Sequence, residues 1–199
     1  GGNQAWLREL QPAARRVALD LDPAALSFCA DRGLDGLLRA DGSVLPLRDC
    51  SVDVVVALDV IEHFADDAAL LAEFTRVLKP GGRLVAAVPA HPWLWSPHDE
   101  FLHHHRRYRP GQLEALVEKA GLRVERRHGF NFLLLPPIAA VRLVKRLLGG
   151  DRPATGTDFF ALPRAVERGL EALFAAEAAI VRRCPVPAGV STMLLARRA

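Results

Sequence analysis

The chain has 199 residues, half of them apolar and a quarter charged, with 26 Lys and Arg against 23 Asp and Glu. That balance excludes a disordered, collagen-like or disulfide-stapled chain, and the length suits one domain with a buried core. Three scattered cysteines make no CxxC pair, which points to a reducing, cytoplasmic setting, and no apolar run approaches the roughly 20 residues of a membrane span.

The chain opens Gly1-Gly2-Asn3 and its only methionine is Met193, so the start reads as the end of a glycine turn whose beginning precedes the chain. A helix is expected over Gln4–Leu10. Arg16–Asp20 (RVALD) and Ser51–Leu58 (SVDVVVAL) are short β-branched or apolar runs, as buried parallel strands are. Gly36–Ala40 is a weaker strand between them, and Arg83–Pro89 (RLVAAVP) is a further one. Asp22 caps a helix over Pro23–Arg32, with Pro23 at its first position. A second helix runs over Ala65–Leu78, and Lys79-Pro80-Gly81-Gly82 stops it and turns the chain into the next strand.

Residues 91–109 have no period and are rich in Pro, Trp, His and Arg. They read as a long ordered loop, of a length that is usually functional. Pro110–Ala120 is helical and ends at Gly121, Leu122–Arg127 is a strand, Leu133–Leu148 and Ala161–Arg183 are helices, and Gly189–Ala196 is the last strand. Alternating strands and helices predict an α/β fold, a parallel sheet with helices on both faces, in one domain over 1–199.

Residues 1–100 carry 9 Lys and Arg against 15 Asp and Glu, and residues 101–199 carry 17 against 8. The acidic half suits a cationic small ligand and the basic half an anionic substrate or surface, although solvated helix faces give the same split. No Lys/Arg–aromatic stripe is present, so nucleic acid is not an expected partner.

Ligands of open α/β sheets lie outside the carboxyl ends of the strands. Asp20, Asp41 and Asp59 all fall at such ends. Asp20 is placed to accept from both hydroxyls of a ribose, and Asp41 from an exocyclic adenine amine. A helix cap or a surface turn explains any one of them; the set points to adenosine.

The succession RVALDLDP (16–23), RADGSVLPL (39–47), VDVVVALDVIEHF (52–64) and LKPGGRLVAAVPA (78–90) resembles class I S-adenosylmethionine-dependent methyltransferases, from Gly1 to about Phe132. The resemblance implies a Rossmann-like sheet whose first strand is absent from this chain. It implies S-adenosylmethionine as cofactor, with Gly1 and Gly2 ending the glycine loop. Asp20 and Leu21 then lie at the ribose, and Ala40, Asp41 and Gly42 along the adenine. Leu58 and Asp59 border the sulfonium. Glu62 and His63, which follow, are open to capping and packing or to an acceptor contact.

Methyl transfer is an in-line displacement that needs alignment above all, and a base only where the acceptor must lose a proton. The 90–109 segment is placed as a lid. His98, His104 and Asp99 are its candidate bases, Arg106 and Arg107 candidate clamps for an anionic acceptor, and Trp93, Trp95 and Tyr108 candidate walls. The Trp pair equally suits anchoring on the core. No metal is expected: three consecutive residues, His103–His105, do not readily all face one ion. The helical insertion at about 133–188, apolar and then basic at Arg142, Lys145 and Arg146, suits a lipid-like acceptor or peripheral membrane contact, or else burial on the sheet. The function expected is methyl transfer to a small-molecule acceptor, possible rivals being a catalytically silent adenosyl-binding module and a nicotinamide-dependent dehydrogenase. Oligomeric state has no signal here.

Overall fold

Carboxylates start two of the helices. Asp22 accepts from the Ala24 amide at 2.9 Å ahead of α1 (Pro23–Asp31), and Asp66 from the Ala69 amide at 2.9 Å ahead of α2 (Asp67–Val77). Each satisfies an amide that the first helical turn leaves without a partner. The computed structural model describes residues 13–34, 36–147 and 164–199; the helix expected at Gln4–Leu10 lies outside them, as do Gly1 and Gly2.

β1 (Val17–Asp20) and β2 (Gly36–Arg39) form a parallel pair, in register from Val17–Gly36 to Asp20–Arg39. A second sheet has the order β3 (Val52–Leu58), β4 (Leu78–Pro89), β6 (Ser191–Arg198), β5 (Leu122–Phe130). β3 and β4 are parallel, whereas β6 runs antiparallel to both β4 and β5, so the sheet is mixed rather than wholly parallel as expected. The Lys79–Gly82 turn is also part of β4. Val52 pairs with Leu78 and Val54 already with Arg83, so these four residues are taken up in a bulge, with Gly81 at φ 78°.

α2 and α4 (Gln112–Lys119) cover one face of the larger sheet. Leu70, Leu71, Phe74, Val77, Leu113 and Val117 meet Ala57, Leu84, Ala86, Val88, Leu122, Leu194 and Ala196 there, forming the main core. At roughly 1.5–3 kcal/mol per large side chain, this burial dominates stability. α1 packs on β1 and β2 through a smaller cluster of Ala18, Cys29 and Leu34. Val54 and Val56, which alternate with Val55 and Ala57 along β3, are 49% and 40% exposed.

Residues 90–109 are not the aperiodic loop expected. They hold a 3₁₀ turn at Pro92–Leu94 and a short α3 (Pro97–Phe101), with Ser96 and Asp99 making a capping box at its start. The segment then returns extended beside β4: the Tyr108 amide donates to Pro89 O at 2.9 Å, and the His91 amide to Tyr108 O at 2.8 Å. α5 (Leu135–Leu147) and α6 (Arg164–Val181) are the two inserted helices. Buried Glu177 of α6 accepts from the amides of Asn131 and Leu133, which joins α6 to the turn after β5.

Candidate active site

The register aligns one edge. Leu58 lies beside Ala87, and Pro89 beside Ser191, which lies beside Phe130, so the carboxyl ends of β3, β4 and β5 share a side of the sheet. Each of these strands is followed within two residues by a non-glycine in the left-handed region: Asp59 at φ 52°, His91 at 61° and Asn131 at 57°. Such residues carry local strain and collect at functional sites.

Asp20, at the end of β1, is exposed, and its Oδ1 accepts from the Asp22 amide at 3.0 Å. Leu21 beside it is exposed too. Asp41 is also exposed, but its Oδ1 is engaged in its own turn, on the Ser43 amide (2.9 Å) and hydroxyl (2.8 Å); these bonds hold the carboxyl below its usual range. A Cβ on Gly42 would stand 2.8 Å from the tip of the Phe64 ring, so a side chain there would have to displace that ring. Carboxylates at the ends of β1 and β3 and past β2, with a bare backbone at Gly42, suit the adenosyl group that the sequence implies.

Asp59 ends β3 and its amide donates to Ala87 O at 2.9 Å. The protein around it pushes its carboxyl above the usual range, against the pull of His104 and His63. Glu62 and His63 follow in a 3₁₀ turn, Ile61–His63, rather than the helix start expected. Glu62 is 0% exposed, and neither of its carboxylate oxygens has a hydrogen-bond partner. Burial pushes it up to about 8; the Asp59 and Asp99 carboxylates add to the rise, while its own backbone amide and Arg107 oppose it. His63 is exposed as a residue, but partial desolvation of its ring and the charge of His104, whose ring meets it edge-on with centroids 4.8 Å apart, hold it below the usual imidazole range.

The lid candidates divide. His104 reaches the cluster, with Nε2 3.9 Å from Glu62 Oε1 and Nδ1 3.1 Å from Asp99 Oδ1. Asp99 is fully buried and occupied: Oδ2 accepts from the Ser96 amide and hydroxyl, and Oδ1 from His104 and from Arg107 Nε at 2.7 Å. Burial raises its carboxyl, but Arg107, His104 and Ser96 outweigh that and hold it low. It therefore orients His104 instead of serving as a base itself. His98 lies on α3, and the imidazole this segment brings to Glu62 is that of His104.

The clamp and wall candidates have partners within the chain. Extended backbone turns successive side chains to opposite sides. Arg106 and Tyr108 both go to Asp67 Oδ2, at 3.1 Å and 2.9 Å, and Arg107 goes the other way to Asp99 and Ala90 O. All three are committed to internal partners, and Tyr108, 1% exposed, lies in the core, which leaves it no acceptor to wall. Burial and the Asp67 carboxylate push its phenol strongly up. Trp95 donates to Glu100 Oε1 at 3.3 Å, and Trp93 is 47% exposed with its ring 5.6 Å from that of His91.

The Glu62–His104 contact had no signal in the sequence, since it joins the end of β3 to a distant segment after β4. The adjacent EH pair directly after a strand was the legible half.

A family model described as a methyltransferase domain matches residues 1–86. A probable S-adenosylmethionine-dependent methyltransferase of Mycolicibacterium smegmatis is 32% identical over 182 residues, covering 80% of this chain and 70% of that protein. A phthiotriol/phenolphthiotriol dimycocerosates methyltransferase of Mycobacterium leprae is 40% identical over 91 residues, 44% of this chain, which spans a third (33%) of that protein. Among solved structures, a SAM-dependent methyltransferase from Archaeoglobus fulgidus shares the fold with a TM-score of 0.60 at 16% identity, over 99% of this chain and 81% of that one.

Proposed function

Because the chain belongs to the S-adenosylmethionine-dependent methyltransferase family, we propose that it moves a methyl group onto a hydroxyl of a small, lipid-like acceptor at the carboxyl edge of β3 and β4. When bound, the cofactor would supply a methyl carbon already activated by its sulfonium, whose bond to sulfur would be exchanged for one to the acceptor oxygen. The chain's own part is to align the two and to take up the acceptor's proton. Asp20 and Leu21 would hold the ribose, Ala40, Asp41 and Gly42 the adenine, and Leu58 and Asp59 would border the sulfonium. Asp59, Glu62, His63 and His104 form the acceptor side, where the leaving proton goes.

The observation that carries this reading is the buried Glu62 beside Asp59 and two imidazoles, an ionisable cluster on the edge where family ligands lie. Lipid-like chemistry is supported by apolar exposure around the same edge, at Trp93, Phe101, Leu102 and Phe130, and on α5 at Val141, Leu143, Val144 and Leu147. The Mycobacterium leprae relative is named for a lipid acceptor, which agrees with this choice. No helix among the described residues is long and apolar enough to cross a membrane.

The test is transfer of labelled methyl from S-adenosylmethionine to a panel of hydroxyl-bearing lipids, amines and carboxylic acids. Label in the hydroxy-lipids alone supports the reading. Label confined to amines or acids replaces it, and S-adenosylhomocysteine failing to bind removes it.

A further inference from the structure

Glu62 is the least expected side chain in the molecule. It is fully buried, its carboxylate has no hydrogen-bond partner on either oxygen, and the guanidinium closest in kind, Arg107, is spent on Asp99 and Ala90 O. A buried carboxylate without a partner is costly, and such groups are normally paired or hold a metal. What surrounds Glu62 is a set of ligand atoms. One atom each from Glu62, His63 and His104 lie within 4.8 Å of one another, and Asp59 stands close enough to act on all three.

We propose that Glu62, His63 and His104 bind a divalent first-row transition cation on the acceptor side of the cofactor edge. Imidazole and carboxylate bonds to zinc-like ions are about 2.0–2.2 Å, which sets tetrahedral ligand atoms roughly 3.4 Å apart. The 3.9 Å between His104 Nε2 and Glu62 Oε1 is near that spacing, and a ring nitrogen of His63 lies within 4.8 Å of both ligand atoms. His104 is held as metal-ligating histidines are: its second nitrogen meets the Asp99 carboxylate, and Arg107 fixes Asp99 in turn. The amide of His105 bonded to Glu62 O at 2.8 Å ties the two contributing segments together.

Two imidazoles with one carboxylate favour a first-row transition ion such as iron or zinc over magnesium or calcium, which prefer all-oxygen shells. Only His104 of the three consecutive histidines takes part, so the geometric objection to a metal at His103–His105 does not apply to this site. Three protein ligands leave a position for an acceptor oxygen, and a hydroxyl held there would lose its proton more readily, to the neighbouring Asp59, because the lone pairs of Glu62, His63 and His104 are then engaged by the ion. The inference rests on this edge being the acceptor side.

The experiment titrates Co2+ into the chelator-stripped full chain and follows its ligand-field absorption, with Zn2+ as competitor. One equivalent per chain is expected, displaced by Zn2+, with binding at least about tenfold weaker in Glu62→Gln and in His63→Gln. His63 is exposed, so its variant tests the site even where Glu62→Gln fails to fold. No stoichiometric site in the wild type overturns the inference. Equal affinity in the variants overturns it too, since surface imidazoles such as His103 or His105 then hold the ion. S-adenosylhomocysteine binding in the same sample reports on the methyltransferase reading separately.

Discussion

Arg107 and His104 share one oxygen of Asp99, at 2.7 Å and 3.1 Å, so a single buried carboxylate both anchors the 90–109 segment and aims an imidazole at Glu62. Arg107 is the closer partner, and its guanidinium makes a charge-assisted bond to the carboxylate.

Removing that partner strands the carboxylate. Arg107→Met is expected to cost about 3–5 kcal/mol, the usual penalty for breaking a buried pair from one side. Urea unfolding measures it, and a loss below about 1 kcal/mol would show that the segment is held by other contacts. Arg107→Lys should recover only part, since an ammonium lacks the planar fork that reaches both Asp99 and Ala90 O.

Asp20 tests the cofactor end. Replacing it with Ala is expected to weaken S-adenosylhomocysteine binding by about 1–3 kcal/mol through lost hydrogen bonds to a charged group. Calorimetry reads this directly, with little change in thermal stability because Asp20 is exposed. Unchanged affinity removes Asp20 from the site.

Glu73 contributes a pH-dependent term away from the site. Its two oxygens accept from Arg76 Nε and Nη2, both at 2.8 Å, and Oε2 also accepts from the Leu45 amide, so the folded carboxyl lies below its ordinary 4.5. A lowered value means the stabilisation is complete above about pH 4.5 and is lost as the pH falls through the folded value. Glu73→Gln should lower stability by about 1 kcal/mol at pH 7, a figure kept small by partial solvent exposure, with the gap to wild type closing in acid. Melting temperatures from pH 7 to 3 check the convergence; a constant gap would mean that the loss is not electrostatic.

Gly129 is a packing constraint rather than a turn. A Cβ there would overlap the Ala188 carbonyl, where the Gly129 amide donates to Val186 O at 2.7 Å. Gly129→Ala is expected to cost about 3 kcal/mol or more, since backbone cannot withdraw as a side chain can. Denaturant midpoints decide it.

Strand and helix positions were legible where the information is local. Val17–Asp20, Val52–Leu58 and the Asp22 cap lie within a residue of expectation because β-branched runs and capping carboxylates act on their own neighbours. Lys79–Gly82 follows the end of α2 and leads into the rest of β4 as expected, but a glycine turn and a β-bulge use the same residues, and only pairing with β3 shows the bulge. The internal partners of Arg106, Arg107 and Tyr108 were not legible for a related reason. Charged and aromatic side chains on a loop suit a ligand or an internal partner equally, and buried Asp67 and Asp99 were there to receive them.

By itself the sequence determined the family, the alternation of strands and helices, and the row of carboxylates at strand ends, since each is written in residues adjacent or regularly spaced along the chain. Only the tertiary structure decided that Glu62 is buried without a partner and that His104 faces it. Contact between residues far apart in the chain depends on how the crossovers and the returning 90–109 segment bring them to one edge, and no local pattern encodes that distance.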